Sequence, residues 1–227
     1  MEHKQRICCI ICGARCDSAF FHYHDFEYIY LATPAGEEWA LSCGVKLSAV
    51  CTCRASLKDS DPEEGLFCEP QANSDLEAAV AYGMQLGCDQ FVFYLDDTRT
   101  DELLAALQIM QIFEEQNVHC TANQNRQNFI LLSRNSDKNG SLTYIGSIYE
   151  DFSLFALSAR VEGLTIGGTD ADQENTVLYR QTPLLHICPT PREPDPMLEK
   201  DCEFDDVRFK LKSGKLLIVS TLNADVL

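Results

Sequence analysis

Residues 74–120 read SDLEAAVAYGMQLGCDQFVFYLDDTRTDELLAALQIMQIFEEQNVHC, and the periodicity of this stretch decides the fold class. Ser74 followed three residues later by Glu77 has the spacing of a capping box, in which two side chains satisfy the free N–H groups of a helix start. Leu76, Val80 and Met84 then recur at helical spacing, and Gly87 marks a stop. QFVFYL (90–95) is apolar on both faces, as a central parallel strand must be when helices cover it from two sides. Thr98 is expected to cap a second helix, TDELLAALQIMQIFEEQ, whose first turn carries Asp101 and Glu102, where the helix dipole favours negative charge. VHCTA (118–122) restarts a strand. Helix, strand, helix, strand in this order predicts a parallel α/β sheet.

Upstream, RICCIICG (6–13) is an apolar run stopped by Gly13, readable as a strand or as a metal knuckle. Tyr28–Ala32 is a candidate strand, Thr33–Gly36 a turn, EEWALSCG (37–44) a short helix and VKLSAVCTC (45–53) a β-type run. Residues 54–73 are polar and read as a long connection. Downstream, NFILLS (128–133) is a buried-strand candidate, and YEDFSLFALSARVEG (149–163) is expected to be an amphipathic helix with Phe152, Phe155 and Ala159 on one face. TVLYRQTPLLHI (176–187) holds one or two strands broken at Pro183. PTPREPDP (189–196) reads as an extended linker. VRFKLKSGKLLIVST (207–221) reads as a hairpin turning at Ser213-Gly214. The expected organisation is an extension or extra strand at 1–26, a Rossmann-like α/β domain at 27–188 with helices on both faces of its sheet, a proline-rich linker at 189–204 and a C-terminal β-hairpin at 205–227.

The 227 residues carry a formal charge of −17, which argues against nucleic-acid phosphates or an anionic membrane surface as the main partner. No run of about 18 apolar residues stands in the sequence, so no membrane span is expected. The N-terminal apolar run is too short and too cysteine-rich for a signal peptide, and the chain reads as cytoplasmic. Twelve cysteines are many for such a chain. Cys8, Cys9, Cys12, Cys51 and Cys53 lie inside apolar runs, where a thiol behaves as a small hydrophobe, and no disulfide framework is expected.

Two constellations have residue types suited to chemistry. Asp96-Asp97 falls where a parallel strand ends, the edge at which open α/β sheets bind ligands; the pair could hold a metal ion, a ribose hydroxyl or a proton, or simply favour the following helix start. Cys9 and Cys12, with Cys16, His22 and His24, offer soft and imidazole ligands of the kind zinc takes. The His22-x-His24 half matches no usual distal spacing, and a buried strand of small thiols is the competing reading, so no bound metal is expected. His119 and His186 have no nucleophile motif beside them. Gly167-Gly168 is followed by no lysine-bearing helix of the phosphate-cradling kind.

Taken from Glu27, the order of elements and the stretch DLEAAVAYGMQLGCDQFVFYLDDTRTDELLAALQIM resemble the TrkA N-terminal type of Rossmann domain found in potassium-uptake regulators, over about residues 27–133. That resemblance implies a nucleotide, NAD or another, at the strand ends. Where the family has G-x-G-x-x-G, this chain reads Leu31-Ala32-Thr33-Pro34-Ala35-Gly36, with only the helix-packing glycine. Arg54 stands where the ribose-binding acid is expected. The degraded fingerprint implies weak or lost nucleotide binding, hence a non-catalytic regulatory or ligand-sensing domain. A ligand would meet Thr33, Gly36, Arg54, Asp96 and Asp97. The alternatives are an enzyme using Asp96 or Asp97 at the sheet edge, and a zinc-stabilised interaction module. Expected partners are a small molecule or another protein, and a homo-oligomer is compatible with the composition.

Overall fold

The computed structural model describes residues 6–13, 28–53, 66–134, 141–144, 150–190 and 207–222. The chain divides into two compact units, Met1–Arg126 and Gln127–Leu227. This division falls inside the expected 27–188 domain.

The first unit is built on six parallel strands: β1 (Ile7–Ile11), β2 (Tyr28–Ala32), β3 (Ala49–Cys53), β4 (Leu66–Glu69), β5 (Gln90–Tyr94) and β6 (His119–Gln124). They lie in the order β4-β3-β2-β1-β5-β6. The helices are α1 (Glu37–Ser42), α2 (Asp75–Gln85) and α3 (Thr100–Glu114). RICCIICG is thus a strand, and a central one: β1 pairs with both β2 and β5. Alternate side chains of a strand face opposite ways. Cys9, Ile11 and Tyr94 pack with Ala32 and Ala40 of α1, whereas Cys8 and Phe91 lie against Gly83 of α2. Helices α1 and α2 therefore cover opposite faces. Phe91 and Phe93 of β5 are 1% and 0% exposed, each contributing roughly 1.5–3 kcal/mol through burial.

Local chemistry sets the helix ends. The Ser74 hydroxyl accepts from the Glu77 N–H at 3.1 Å, while the Glu77 carboxylate reaches back to the Asn73 N–H at 2.8 Å rather than to Ser74. The second helix differs from expectation. Arg99, not Thr98, is the residue at its N-cap, and its side chain makes no cap bond. Thr98 instead closes a turn on Asp96.

The second unit is all-β. One antiparallel sheet has the order β12-β9-β14-β7 and another β11-β10-β13-β8. Their strands are β7 (Gln127–Ser133), β8 (Ser141–Tyr144), β9 (Glu150–Ala156), β10 (Arg160–Gly167), β11 (Gln173–Tyr179), β12 (Leu184–Ile187), β13 (Val207–Lys210) and β14 (Lys215–Leu222). The expected helix at 149–163 is two strands. Its apolar residues are dense enough to fit either period, and tertiary pairing chooses period two: Phe152, Leu154 and Ala156 are buried while Ser153 and Phe155 are partly exposed. Their core partners include Val161, Leu164, Phe209, Leu216 and Ile218, with Phe152 and Phe209 edge to face at 5.4 Å. The expected hairpin at 205–227 is corrected too. β13 pairs with β8 and β10, and β14 with β7 and β9, so the two strands enter different sheets. Of the expected linker, Pro189 bridges to Thr169 and Thr190 donates to the Gly168 carbonyl at 2.9 Å.

The whole is a mixed α/β protein, with a large parallel sheet in one unit and antiparallel sheets in the other. Among the described residues no helix is long and apolar enough to cross a membrane.

Candidate functional site

Because β1 to β6 are parallel, their carboxyl ends share one edge. Strand order runs outward from β1 to β4 on one side and then resumes with β5 on the other, so the switch point lies between β1 and β5, where open α/β sheets bind ligands. Two turns meet there. The Cys12 N–H donates to the Tyr94 carbonyl at 2.8 Å, and the Leu95 N–H to the Asn123 carbonyl at 3.0 Å. Gly13 then lies flat against Asp96: a Cβ on Gly13 would stand 2.3 Å from the Asp96 Cβ and 2.7 Å from its Cα. On the other flank of β1, the Thr33 N–H donates to the Ile11 carbonyl at 2.9 Å and its hydroxyl to the Cys12 carbonyl at 2.9 Å. Gly36 presses on the same strand end, where a Cβ would fall 2.2 Å from the Ile11 carbonyl oxygen.

The two acids at the end of β5 have different surroundings. Asp96 is 8% exposed, and its Oδ1 accepts from the Thr98 N–H at 2.9 Å and the Thr98 hydroxyl at 2.6 Å. Its carbonyl accepts from Gln124 Nε2 at 2.6 Å, and the same amide reaches the Arg99 carbonyl at 3.0 Å. Gln124 thus clamps the turn from Asp96 to Arg99. Asp97 is half-buried and accepts from the Asn125 N–H at 2.6 Å. Beyond them Arg99 pairs with Asp101 at 2.5 Å and with Glu102 at 3.4 Å. Its guanidinium holds the Asp101 carboxyl below the usual range, whereas burial pushes the Glu102 carboxyl up. A further acid ties the next strand in: Asp75 Oδ1 accepts from the Thr52 hydroxyl at 2.9 Å and the Cys53 N–H at 2.8 Å.

Of the five expected ligand-contacting residues, Thr33, Gly36, Asp96 and Asp97 lie on this carboxyl edge, flanking the end of β1. Arg54 directly follows β3 and lies outside the described residues, as do Cys16, His22 and His24. Cys9 sits in the middle of β1, its backbone in register with Tyr30 and Val92, and burial pushes its thiol up to about 12. Cys12 sits past the strand end with its thiol directed at the Ile10 carbonyl. A zinc knuckle needs a turn between its two cysteines, and here a strand runs through the first of them. Among the described residues no three His, Cys, Asp or Glu side chains converge to hold a metal ion.

Sequence reasoning missed Gly13, Gln124 and β4. The first two act through contacts that carry no local pattern. β4 is a four-residue edge strand, LFCE, in an otherwise polar stretch.

No protein-family model matches the chain, and no curated protein matches it. Solved structures do. A thiamine pyrophosphokinase from Bacillus subtilis superposes with a TM-score of 0.72 at 13% identity, covering 96% of this chain and 100% of that one. The Geobacillus thermodenitrificans thiamin pyrophosphokinase gives 0.71 at 14% identity, covering 97% and 100%. The Candida albicans enzyme gives 0.65 at 9% identity, covering 96% and 90%. These likenesses overturn the resemblance to TrkA N-terminal domains, and with it the expectation of a non-catalytic regulatory or ligand-sensing domain. The physical cause is the starting strand. Counting from Glu27 made β2 the first strand and its turn the glycine loop, whereas β1 is the central strand beside the switch point. Along its whole length, second unit included, the chain has the fold of the thiamine pyrophosphokinases it resembles.

Proposed function

We propose that this protein is an enzyme of the pyrophosphokinase type, transferring a diphosphoryl group from a nucleoside triphosphate to the hydroxyl of a small cationic acceptor, with thiamine the first acceptor to test. The observation that carries the reading is the full-length likeness to thiamine pyrophosphokinases, which spans both units and leaves almost none of either chain over. The site's charge supports it. Glu37, Glu38, Asp96, Asp97, Asp101 and Glu102 all follow strand ends on this edge, and Arg99 offsets only Asp101 and Glu102; the remaining negative field disfavours a bare pyrophosphate and favours a magnesium–nucleotide complex beside a cationic alcohol. Thiamine carries a permanent positive charge.

In this reading the Rossmann-like sheet presents its ligands at the carboxyl edge. Magnesium enters with the nucleotide as part of the substrate, held chiefly by phosphates and water with one or two carboxylates. Asp97, the more open of the pair, takes the proton from the acceptor hydroxyl as its oxygen attacks the β-phosphorus. The bond from that phosphorus to the bridging oxygen of the α-phosphate breaks, and the nucleoside monophosphate leaves. Asp96 holds the turn that aims Asp97. Thr33 and Gly36 shape the floor beside β1, and Arg54 supplies positive charge to a phosphate.

The test is to incubate the full chain with thiamine and magnesium ATP and to separate thiamine diphosphate and AMP by chromatography. Stoichiometric formation of both is expected, with Asp97→Asn lowering kcat/KM by about 100-fold or more. Absence of both products, with thiamine and with other small cationic alcohols, would overturn the proposal.

A further inference from the structure

The amino ends of the parallel strands, opposite the proposed site, hold a pair of thiols that the proposed chemistry does not use. Cys8 is the second residue of β1 and is wholly buried; Cys88 lies just ahead of β5 and is 5% exposed. The two thiols hydrogen-bond to each other, and neither is in a disulfide.

The end of α2 brings them together. The Gly87 N–H donates to the Met84 carbonyl and the Cys88 N–H to the Gly83 carbonyl, both at 3.0 Å, with Gly87 left-handed at φ +83°. This glycine stop folds the residue after it back over the last turn of the helix, here Cys88 over Gly83. Gly83 is itself pressed on the sheet, where a Cβ would stand 2.5 Å from Phe91 Cε1 and 3.1 Å from Cys8 Sγ. Cys9 takes no part: it faces α1, and its thiol bonds to Tyr94. The connection from α2 to β5 has room to shift, since a Cβ on Gly87 would meet nothing within 4 Å.

The pair is polarised. Its shared hydrogen bond and burial keep the proton on Cys8, while that bond and the Arg6 guanidinium, which donates to the Leu86 carbonyl at 3.1 Å, favour the thiolate at Cys88. A thiolate beside a cation is the form that attacks.

We propose that Cys8 and Cys88 are a redox pair, a dithiol that a peroxide converts to a disulfide and a thiol reductant reopens, so that α2 is reversibly stapled to the central strand β1. Cys88 Sγ attacks a peroxide oxygen, the O–O bond breaks, and the departing oxygen takes a proton, leaving a sulfenic acid. Cys8 Sγ then attacks Cys88 Sγ; the S–S bond forms, the S–O bond breaks, and hydroxide leaves as water with the Cys8 proton. Two thiols and one hydrogen peroxide become one disulfide and two waters. The sulfurs close from hydrogen-bonding distance to about 2 Å, and residues 86–89 absorb the movement. The loop closed is long, the kind whose closure stabilises most.

Peptide mapping of the full chain after hydrogen peroxide, with free thiols blocked, tests the proposal. A Cys8–Cys88 bond is expected, reversed by dithiothreitol, and the thermal transition seen by Trp39 fluorescence should rise by roughly 5–10 °C. Cys8→Ser and Cys88→Ser, each compared with and without peroxide, should lose that rise. Arg6→Gln should slow formation of the bond by about threefold or more. Each of four results would overturn the proposal. They are no Cys8–Cys88 bond at a dose that oxidises the exposed Cys43 and Cys188, a bond from Cys8 to Cys51 instead, a bonded chain whose transition does not move, and a rate indifferent to Arg6→Gln.

Discussion

Gly13→Ala probes the junction of β1 and β5 directly. The added methyl would stand 2.3 Å from the Asp96 Cβ, against the 3.4–4 Å of ordinary contact, so the two turns must part by about 1 Å. Neither turn can part freely. The Cys12 N–H to Tyr94 carbonyl bond, now 2.8 Å, would stretch beyond bonding distance. Losing it costs about 0.5–1.5 kcal/mol. Overpacking adds roughly 1–3 kcal/mol, and the stiffer unfolded chain returns about 0.4–1 kcal/mol. The net is a destabilisation near 2 kcal/mol. The sequence contains one tryptophan, Trp39 on α1, so its fluorescence reports the first unit. With a urea slope of about 2 kcal/mol per molar, the Trp39 transition should move down by roughly 1 M. Gly167→Ala is the control, since a Cβ there has open space and no left-handed backbone to strain; it should leave that transition in place. A Gly13→Ala midpoint within about 0.2 M of wild type would refute the reading of this junction as tightly closed.

Three other outcomes follow from the same geometry. Phe93→Ala in the buried β5 should cost about 3–5 kcal/mol by calorimetry, and an unchanged melting temperature would remove β5 from the core. Ser74→Ala removes the cap of α2 and should cost about 1 kcal/mol in a urea titration; a gain in stability would contradict the cap. The thiols of Cys9 and Cys51 are raised by burial to about 12 from an ordinary 9. Between those values the unfolded chain releases protons that the folded chain keeps. Stability should therefore be level below pH 9 and fall above it, by up to about 1.4 kcal/mol per pH unit for each thiol. Cys51→Ala should flatten that slope, and a pH-independent stability from 8.5 to 11 would contradict it.

Much of the first unit was legible because its signals are local. Leu76, Val80 and Met84 mark α2 by spacing alone, and Phe91 and Phe93 can be buried together with Tyr94 only in a strand covered on both faces. The carboxyl edge followed from the parallel order, which brought Thr33, Gly36, Asp96 and Asp97 into view. What local pattern cannot express is order across the sheet. Nothing in ICCII says that it lies between β2 and β5, and the fold family was misread on that point. The second unit was harder for a related reason. Phe152, Leu154, Phe155 and Ala156 satisfy two periods at once, and only the ladder with β14, which pairs Ala156 with Leu216 and Phe152 with Ser220 far downstream, chooses between them. Gln124 reads as one more polar residue until its amide is seen bridging the carbonyls of Asp96 and Arg99.

The placement of β14 has a consequence for how the second unit comes into being. β14 lies between β7 and β9 and joins two strands made long before it; Gln127 and Thr221, paired across that ladder, are 94 residues apart. Until residues 215–222 leave the ribosome, β7 and β9 have a gap where a neighbour should be, with ladder groups unmet and Phe129, Leu131 and Phe152 unshielded. Such long-range closure folds slowly, and the waiting edges invite pairing with other chains. Among the described strands, the one made last is the one that fills the gap between β7 and β9, so the nascent second unit is most open to wrong pairing just before its synthesis reaches Leu222.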